Sequence, residues 1–454
     1  MSGLPTSWAD IELSVVAQVT SGIGFPNEYQ GHTSGDLPFF KVSDISHAVL
    51  ANRGELKTAN HYVSHEVAEK LKGKPLAPGS TVFAKIGEAV RLNRRATVTT
   101  PCLIDNNVMA VKARDGVDDR YVHQFLRTID FGESARSTTV PSLRKGDVEE
   151  LRFPLAPAAE QKRIADKLDT VLTRVDAVNT RLARVAPLLK RLRQSVLAAA
   201  TSGRLTEDWY EQNLDKSRAK FALGDLVVSI DQGWSPKCEA NAAPPDKWSV
   251  MKTTAIQALH FYPEENKELP YDLNPRPHLA LADGDVLITR AGPRSRAGIT
   301  CIVRGDQPML MLCDKAYRVR VDRSKIHPQM LNLLLNSPEV LDEIDGMKTG
   351  ISESGVNLTQ AKFRELALSV PHIAEQTEIV RRVETLFAFA DRLEARLAQA
   401  QTAATRLTPA LLAKAFRGEL VPQDPNDEPA AELLRRLQQK ASSNSEKRRR
   451  KSST

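Results

Sequence analysis

The chain has 454 residues, enough for two or three domains, and 41% of them are hydrophobic while 26% are charged. This composition supports hydrophobic cores under an ordinary soluble surface, and no apolar run is long enough to span a bilayer, which excludes a membrane-spanning protein. The net charge of +7 is concentrated in residues 442–454, which hold five basic residues and one acidic residue, so the rest of the chain is only mildly basic.

The cysteines and the N-terminal residues predict a cytoplasmic location. The start, MSGLPTSWADIEL, has no basic segment followed by an apolar stretch, so no signal peptide is expected. His61 and His65 lie four residues apart without a third ligand and are interpreted as surface residues. We expect reduced thiols and no metal site, because the cysteines are scattered without a C-x-x-C pair: they are Cys102, Cys238, Cys301 and Cys313.

Residues 1–154 are predicted to form a mixed α/β globular domain. Ser80–Gly87 (STVFAKIG) and Arg95–Ile104 (RATVTTPCLI) have the apolar content of strands, and turn residues bound them. Asp118–Ile129 (DDRYVHQFLRTI) has the apolar spacing of a helix.

Residues 155–206 are predicted to form a long helix, from Gln161 to about Ala199, roughly 58 Å in length at about 1.5 Å per residue. Pro187 indicates either a kink or the end of one helix and the start of another. Apolar residues recur in alternating steps of three and four, the pattern of a helix that packs along another helix. These seam positions are Leu168, Val171, Val175, Val178, Leu182, Val185, Leu189, Leu192 and Val196.

Residues 207–369 repeat this layout, with strands predicted at Gly284–Gly292 and Gly298–Gly305 and helices within His327–Ile344. Residues 370–424 form a second long-helix region, in which Pro409 raises the same question as Pro187. Its seam positions are Val383, Leu386, Ala390, Leu393, Leu397, Ala400, Ala404, Leu407 and Leu411. Residues 425–454 are predicted to form a short helix and a disordered basic tail, with an auxiliary phosphate-binding arm as the alternative.

The chain contains two copies of one sequence unit, at an offset of 215 residues. About a third of the positions from Leu151 to Leu205 are identical to those from Leu366 to Leu420, without an insertion. Leu13–Pro26 resembles Leu223–Pro236 more loosely, and Ser142 and Asn357 fall at the same offset. Each unit is therefore a variable half followed by a long helix.

The two seams predict how the helices pair. Small residues in the second seam face larger ones in the first, as interdigitating helices require, so an intramolecular pair is expected and a homodimeric coiled coil is the alternative. The predicted fold class is α+β: two mixed α/β domains separated by two long antiparallel helices, which form an intramolecular coiled coil with a pseudo-two-fold repeat.

No catalytic signature is found in the sequence. It lacks a phosphate-binding G-x-x-x-x-G-K-[ST] loop, a dinucleotide fingerprint, G-x-S-x-G, H-E-x-x-H, and the Asn- or Asp-Pro-Pro-aromatic motif of amino-methyltransferases. The pairs Glu160-Gln161 and Glu375-Gln376 are interpreted as helix-start residues, because an acid there favours the positive end of the helix dipole.

The duplicated layout resembles the specificity subunit of a type I restriction-modification enzyme, the HsdS family. The helices open on PAAEQ (Pro157–Gln161) and PHIAEQ (Pro371–Gln376), and they close on SGRL (Ser202–Leu205) and RGEL (Arg417–Leu420). Almost the whole chain is covered, with Pro371 shifted by one position relative to Pro157.

The resemblance implies a non-catalytic subunit that recognises double-stranded DNA in the cytoplasm. Each globular half would be a target-recognition domain that reads one part of a split, asymmetric sequence. The helices would fix the gap and dock two modification subunits, which carry S-adenosylmethionine and methylate adenine at N6. Restriction and translocase subunits would use ATP and Mg²⁺. No cofactor is expected on this chain.

Basic residues in the loops of each half are candidate DNA contacts. Lys85 matches Arg290 and Lys41 matches Lys252, so these pairs are expected at phosphates, which any sequence shares. The Asn93–Arg95 and Arg294–Arg296 loops differ between the halves and are expected to read bases. The full candidate set is Lys41, Lys85, Arg91, Arg94, Arg95, Arg144, Lys145, Lys252, Arg290, Arg294, Arg296 and Lys348.

Two other functions stay open on the residues alone. A coiled-coil scaffold without a nucleic-acid role would show no salt-dependent DNA binding, and an enzyme with an unrecognised site would turn over a substrate without partners. For the helices, the residues expected to pack on each other or on a partner are Leu168, Val175, Leu182, Leu189, Val196, Val383, Leu393, Leu397, Leu407 and Leu411.

Overall fold

The computed structural model describes residues 3–134, 141–210, 218–238, 241–350, 353 and 355–440. The chain divides into two compact units, Met1–Leu182 with Gln399–Thr454, and Ala183–Ala398. Both divisions fall inside the long helices, so each helix region belongs to both units. The basic tail at 442–454 lies outside the described residues, and a short helix at 430–440 precedes it.

Ten strands lie in the described part of the first unit. They are β1 (Ala9–Glu12), β2 (Ala17–Ser21), β3 (Leu37–Phe40), β4 (Glu55–Leu56), β5 (Tyr62–Val63), β6 (Thr81–Ala84), β7 (Arg95–Val98), β8 (Leu103–Ile104), β9 (Val108–Ala113) and β10 (Arg152–Leu155). The helices that begin there are α1 (Leu13–Val16), α2 (Val42–Ala51), α3 (His65–Lys70), α4 (Asp119–Leu126), α5 (Phe131–Ser134), α6 (Lys145–Glu149) and α7 (Ala158–Ser202), the last of which continues into the second unit.

The main sheet of the first unit has the strand order β2–β9–β6–β7–β4. All four residues of β6 are buried because the sheet is covered on both faces: Phe83 packs with α4 and α7, and Val82 packs with α2. Strand β3 pairs in parallel with β8 beside this sheet, and β1 pairs with β10. The strand and helix predictions for this half are confirmed.

The second unit contains fourteen strands among its described residues. They are β11 (Ala219–Ala222), β12 (Val227–Gln232), β13 (Ser249–Met251), β14 (Ile256–Gln257), β15 (His260–Phe261), β16 (Asn266–Glu268), β17 (Ala280–Leu281), β18 (Val286–Thr289), β19 (Ala291–Gly292), β20 (Thr300–Ile302), β21 (Gln307–Met311), β22 (Ala316–Val321), β23 (Val356–Asn357) and β24 (Ala367–Val370). The remaining helices are α8 (Glu207–Tyr210), α9 (Leu223–Leu226), α10 (Pro328–Leu335), α11 (Pro338–Met347), α12 (Gln360–Arg364) and α13 (Ile373–Ala415), the last of which returns to the first unit.

The two units share one framework, which confirms the duplication. The order β12–β22–β18–β20 reproduces β2–β9–β6–β7, β13 pairs in parallel with β21 as β3 does with β8, and β11 pairs with β24 as β1 does with β10. Gly22 and Gly233 occupy the same crowded bend. A Cβ atom would come within 2.0 Å of the carbonyl oxygen of Asp105 at Gly22 and of Leu312 at Gly233.

The Glu-Gln pairs at the helix starts tie each helix to its globular half. The Gln161 side chain accepts a hydrogen bond from the Asp118 amide (3.0 Å) and donates one to the Ala156 carbonyl (2.8 Å). Gln376 likewise accepts from the His327 amide, at 2.8 Å. All four residues of the two pairs are buried, and they lie in the first turn of their helices, as predicted. Their contacts also anchor each helix to its globular half.

The acids of the two pairs hold different segments. Glu160 accepts hydrogen bonds from the Trp8 indole (2.9 Å) and from Gln423 (2.5 Å), and so binds the N-terminal segment and the segment that follows α13 in the first unit. Glu375 forms an ion pair with Arg218 (2.8 Å) and accepts from the Thr206 hydroxyl, at 3.1 Å.

The long helices pack on each other within each unit, and they run antiparallel as predicted. In the first unit the start of α7, at Leu168, shares a core with the end of α13, at Leu412. In the second unit Val196, near the end of α7, shares a core with Val383, near the start of α13. Pro187 and Pro409 lie inside continuous helices, so the predicted alternative of a helix break does not occur.

Of the eighteen predicted seam residues, eight are buried, seven are partly buried and three are exposed, one of them Val178 at 44% and the other two nearer the end of each helix, where the seam shifts. Leu407 is 45% exposed and Leu192 is 36% exposed, so both are wrong as seam positions, and Leu412 and Leu197 are buried instead. The shift follows from geometry, because a helix with 3.6 residues per turn drifts about 20° per heptad from a strict seven-residue repeat. Leu168, Val175, Leu189, Val196, Val383 and Leu397 are buried, whereas Leu182, Leu393 and Leu411 are partly buried.

Candidate nucleic-acid interface

In the first unit, the segment after β6 pairs with the segment before α6. In the second unit, the segment after β18 pairs with the segment before α12. In the first unit, Lys85 accepts a hydrogen bond from the Leu143 amide (2.8 Å), and Gly87 donates one to the Pro141 carbonyl (2.8 Å). In the second unit, Arg290 accepts from the Leu358 amide at 2.7 Å. The structure therefore confirms that Lys85 and Arg290 are equivalent positions.

The two side chains differ in how far they are engaged. Lys85 is half-buried, and within the described part of the chain its ammonium has no hydrogen bond or ion pair. The Arg290 guanidinium donates to the Asp314 carbonyl (2.7 Å) and to Asn357 Oδ1 (2.8 Å), and it lies over the Tyr317 ring. Lys85 can therefore reach a phosphate without giving up an internal bond.

The Asn93–Arg95 segment is partly structural. Arg95 is only 6% exposed in β7, where it lies over the Phe131 ring and donates to the Ile129 carbonyl (2.5 Å). Asn93 has a positive φ of 50° and donates to Asp130 (2.6 Å). The expectation of an exposed loop is therefore wrong for Arg95, whereas half-buried Arg94 has no partner among the described residues.

The corresponding segment in the second unit is held by ion pairs and hydrogen bonds. Arg294 pairs with Asp345 at 2.8 Å, and Lys348, whose side chain is 7% exposed, also bonds Asp345 at 2.7 Å. Arg296 donates to Gln257 (2.9 Å) and to two backbone carbonyls. These three basic residues brace the segment, so the exposed surface there is smaller than the sequence predicts.

Lys41 and Lys252 occupy equivalent positions, each at the end of a strand and the start of a helical turn. Lys41 Nζ donates to Gln30 (2.9 Å), and Lys252 Nζ lies 3.9 Å from a Glu265 carboxylate oxygen. Lys252 also lines a cavity of about 290 Å³ together with Lys267 and Lys315. Nothing in the sequence marks those two lysines as neighbours, because they come from separate strands and loops.

The remaining candidates of the first unit are exposed. Arg91 lies 3.8 Å from Glu88, and Lys145 lies 3.4 Å from Glu149, both weak surface pairs. Arg144 sits at the N-terminal end of α6, and its guanidinium has no partner among the described residues. Among these candidates, Lys85, Arg94 and Arg144 are thus the basic groups without a partner in the described part of the first unit.

The thiols and potential metal ligands do not form a reactive centre in the described residues. None of the four cysteines forms a disulfide, and burial raises the pKa of Cys102 to about 12 and that of Cys313 to about 11. In the same residues, no group of three or more His, Cys, Asp or Glu side chains is arranged to hold a metal ion. No helix among them combines the length and apolar character needed to cross a membrane.

The sequence is similar to known specificity subunits. A family model described as a type I restriction modification DNA specificity domain matches residues 5–186. The specificity subunit of the type I restriction enzyme EcoBI from Escherichia coli is 29% identical over 442 residues, covering 92% of this chain and 87% of that relative. The StySPI specificity subunit from Salmonella potsdam is 26% identical, covering 92% of this chain and 90% of that relative. The EcoEI specificity subunit from Escherichia coli is 29% identical, but this chain spans only 53% of its length.

Solved structures share the fold. A chain from a study of complex assembly and conformational transition of the type I R-M system aligns with a TM-score of 0.65 and 20% identity, covering 92% of this chain and 100% of that chain. The crystal structure of the HsdS subunit from Thermoanaerobacter tengcongensis aligns with a TM-score of 0.56 and 20% identity, covering 92% and 98%. The paired units and the long helices are thus a recurring architecture.

Proposed function

We propose that the chain is a specificity subunit of a type I restriction-modification system and that it recognises the DNA target of such a complex. Each globular half binds one part of a bipartite, asymmetric sequence. The observation that carries this proposal is the contrast between the units: their strand order and helix anchors are the same, whereas their loop side chains differ.

The loop chemistry fits two different half-sites. A shared framework brings each half to DNA in the same way, and loops that differ give each half its own base contacts. In the first half Lys85 and Arg144, which have no partner among the residues that the structure describes, offer positive groups for phosphates. In the second half the Arg290 guanidinium already donates to the Asp314 carbonyl, so the phosphate contacts there are assigned to three lysines that line one cavity: Lys252, Lys267 and Lys315.

Specificity subunits act together with methyltransferase and restriction subunits. For this chain we propose two modification subunits, docked on the long helices, which bind S-adenosylmethionine and methylate adenine. Restriction subunits would supply the translocase and nuclease chemistry with ATP and Mg²⁺. This chain would carry no catalytic residue and bind no cofactor. A scaffold without a DNA role is not favoured by the similarity to specificity subunits.

The test is a genome-wide map of N6-methyladenine in the source organism, with this gene intact and deleted. One split motif with a fixed gap should lose its methylation on deletion. Replacing residues 1–154 with the corresponding half of a relative should then change one part of the motif and leave the other. An unchanged map in a strain that expresses the modification subunit would contradict the proposal, as would a change in both parts on replacing one half.

A further inference from the structure

A deep cleft opens in the first unit between the globular half and the long helices. Its volume is about 750 Å³, and its walls come from the Leu92–Arg95 segment, the end of α4 and the last turns of α13. Pro409 and Leu412 contribute from α13, and Asp176 contributes from α7. We call it the basic cleft, because four arginines line it: Arg53, Arg94, Arg95 and Arg127.

Direct ion pairs do not neutralise these arginines within the described part of the chain. Arg53 and Arg94 have no side-chain partner there, and Arg127 donates to the neutral amide of Gln124, at 3.0 Å. Arg95 bonds Asn93 and the Ile129 carbonyl, and its buried Nε has no acceptor. Such an accumulation of unpaired guanidinium groups favours an anionic ligand.

The two aspartates of the cleft offset only part of this charge: the carboxylate of Asp130 acts on Arg95 and that of Asp176 on Arg127, whereas four arginines line the cleft. Asp130 is already used as an acceptor by the Asn93 amide and by the backbone amide of Gly132, at 2.6 and 2.8 Å. Asp176 accepts no side-chain hydrogen bond from the arginines. Burial and the neighbouring arginines also lower the pKa of His123 to about 3, so this ring is neutral and adds no charge to the cleft.

The corresponding cavity of the second unit has a different character. Asn332 lies five residues after His327, as His123 does after Asp118, so the two cavities occupy equivalent places. The second one is about 410 Å³ and is lined by Leu259, Phe261, Leu333 and Phe387. Its one lining arginine, Arg304, pairs with Glu384 at 2.7 Å. The excess of arginine is therefore specific to the first unit rather than part of the shared framework.

We propose that the basic cleft receives an acidic segment of a protein partner, with carboxylates bound by the arginines and aliphatic side chains on the apolar wall. Val49, Leu92 and Leu412 line that wall, and Leu92 is 53% exposed. Arg95 is only 6% exposed, so the phosphates of a DNA duplex would contact the rim of the cleft rather than this guanidinium. Of the described residues, no Phe, Tyr or Trp lines the cleft to stack on a free base.

The experiment measures binding of the full chain to three labelled probes by fluorescence anisotropy. The first is a short synthetic peptide of alternating Glu-Glu and Leu-Leu pairs, the second has Lys in place of Glu, and the third is an oligothymidine of equal length. The test variant is the double substitution Arg94→Glu with Arg127→Glu. The control is Arg174→Glu on the exposed surface of α7, which does not line the cleft.

The acidic peptide should bind the unaltered chain and lose affinity by about tenfold or more in the double variant, with no change in the control. The lysine peptide should not bind. Three results would overturn the proposal: no binding of the acidic peptide, equal binding in the double variant and the control, or a loss confined to the oligothymidine, which would make the cleft a nucleic-acid site. Thermal unfolding of each variant checks that it is folded. The outcome does not depend on the DNA target, so it can fail while the proposed function holds.

Discussion

Gln161 and Gln376 hold equivalent positions in the two units, and each accepts a hydrogen bond from the backbone amide that precedes a buried helix, α4 or α10. Each also donates to a carbonyl five residues earlier, at Ala156 or Pro371, so one amide side chain closes the junction between helix and globular half. This junction repeats although the surrounding side chains differ, and it sets the position of each candidate DNA surface relative to its own helix.

Gln161→Leu should destabilise the first unit. The substitution leaves the Asp118 amide and the Ala156 carbonyl buried without a partner, at about 1–3 kcal/mol for each. Urea denaturation followed by tryptophan fluorescence measures the loss. Gln194→Leu, an exposed position on α7, is the matched control and should change the midpoint little. Equal midpoints for the two variants would refute the anchoring role.

Gly22→Ala should destabilise the first unit by about 1–3 kcal/mol, because the new Cβ would overlap the carbonyl oxygen of Asp105 and force the backbone to move. Gly24→Ala is the control, since no atom lies within 4 Å of its Cβ position. Differential scanning calorimetry compares the two. A larger loss for Gly24→Ala would show that the bend is not the constraint.

The seam shift predicts opposite outcomes for two leucines of α13. Leu412→Ala should cost about 2–5 kcal/mol, since this side chain is 3% exposed in the core of the first unit. Leu407→Ala should lower the free energy of unfolding by much less than Leu412→Ala does, because the Leu407 side chain is 45% exposed. Thermal unfolding of both variants decides between the observed seam and the strict heptad, which predicts a large loss at Leu407.

Lys85→Ala should weaken binding to a mixed-sequence duplex without lowering stability. Removing one phosphate contact should reduce the slope of log affinity against log salt by about 1. Lys57→Ala removes an exposed lysine that pairs with Glu55 (2.9 Å) and serves as the control. Filter-binding titrations over a range of salt measure both slopes. An unchanged slope for Lys85→Ala would remove this residue from the DNA surface.

His123 should make the first unit sensitive to acid. Its folded pKa of about 3 lies below the ordinary value of 6.5, so the unfolded chain binds the proton more readily. The stability it contributes is therefore complete above about pH 6.5 and is lost as the pH falls towards 3. His123→Asn, the residue at the equivalent position of the second half, should flatten the dependence of the urea midpoint between pH 7 and 5. His32 is exposed, so His32→Asn should leave the slope of the urea midpoint against pH as it is in the unaltered chain. An equally steep slope in His123→Asn would show that His123 is not the cause of the acid sensitivity.

The candidate DNA surface was only partly predictable from sequence. Basic residues in turn-rich segments can be found in the sequence, but their engagement cannot. Arg95 and Arg296 have the same residue type as Arg94 and Arg144, yet the first two donate to carbonyls inside the fold. Lys267 and Lys315 come together only because strands distant in sequence meet in one sheet and its loops.

The sequence by itself determined the duplication, the two mixed α/β halves, the two long helices and their antiparallel pairing. These follow from the offset of 215 residues and from apolar periodicity, which are local or repeated properties of the chain. Only the tertiary structure decided that Glu160 and Gln161 anchor a domain and that four arginines line one cleft. It also decided that Leu412 rather than Leu407 is buried between the helices and the globular half. Those outcomes depend on which distant side chains become neighbours, and on the slow rotation of a 3.6-residue helix against a seven-residue repeat.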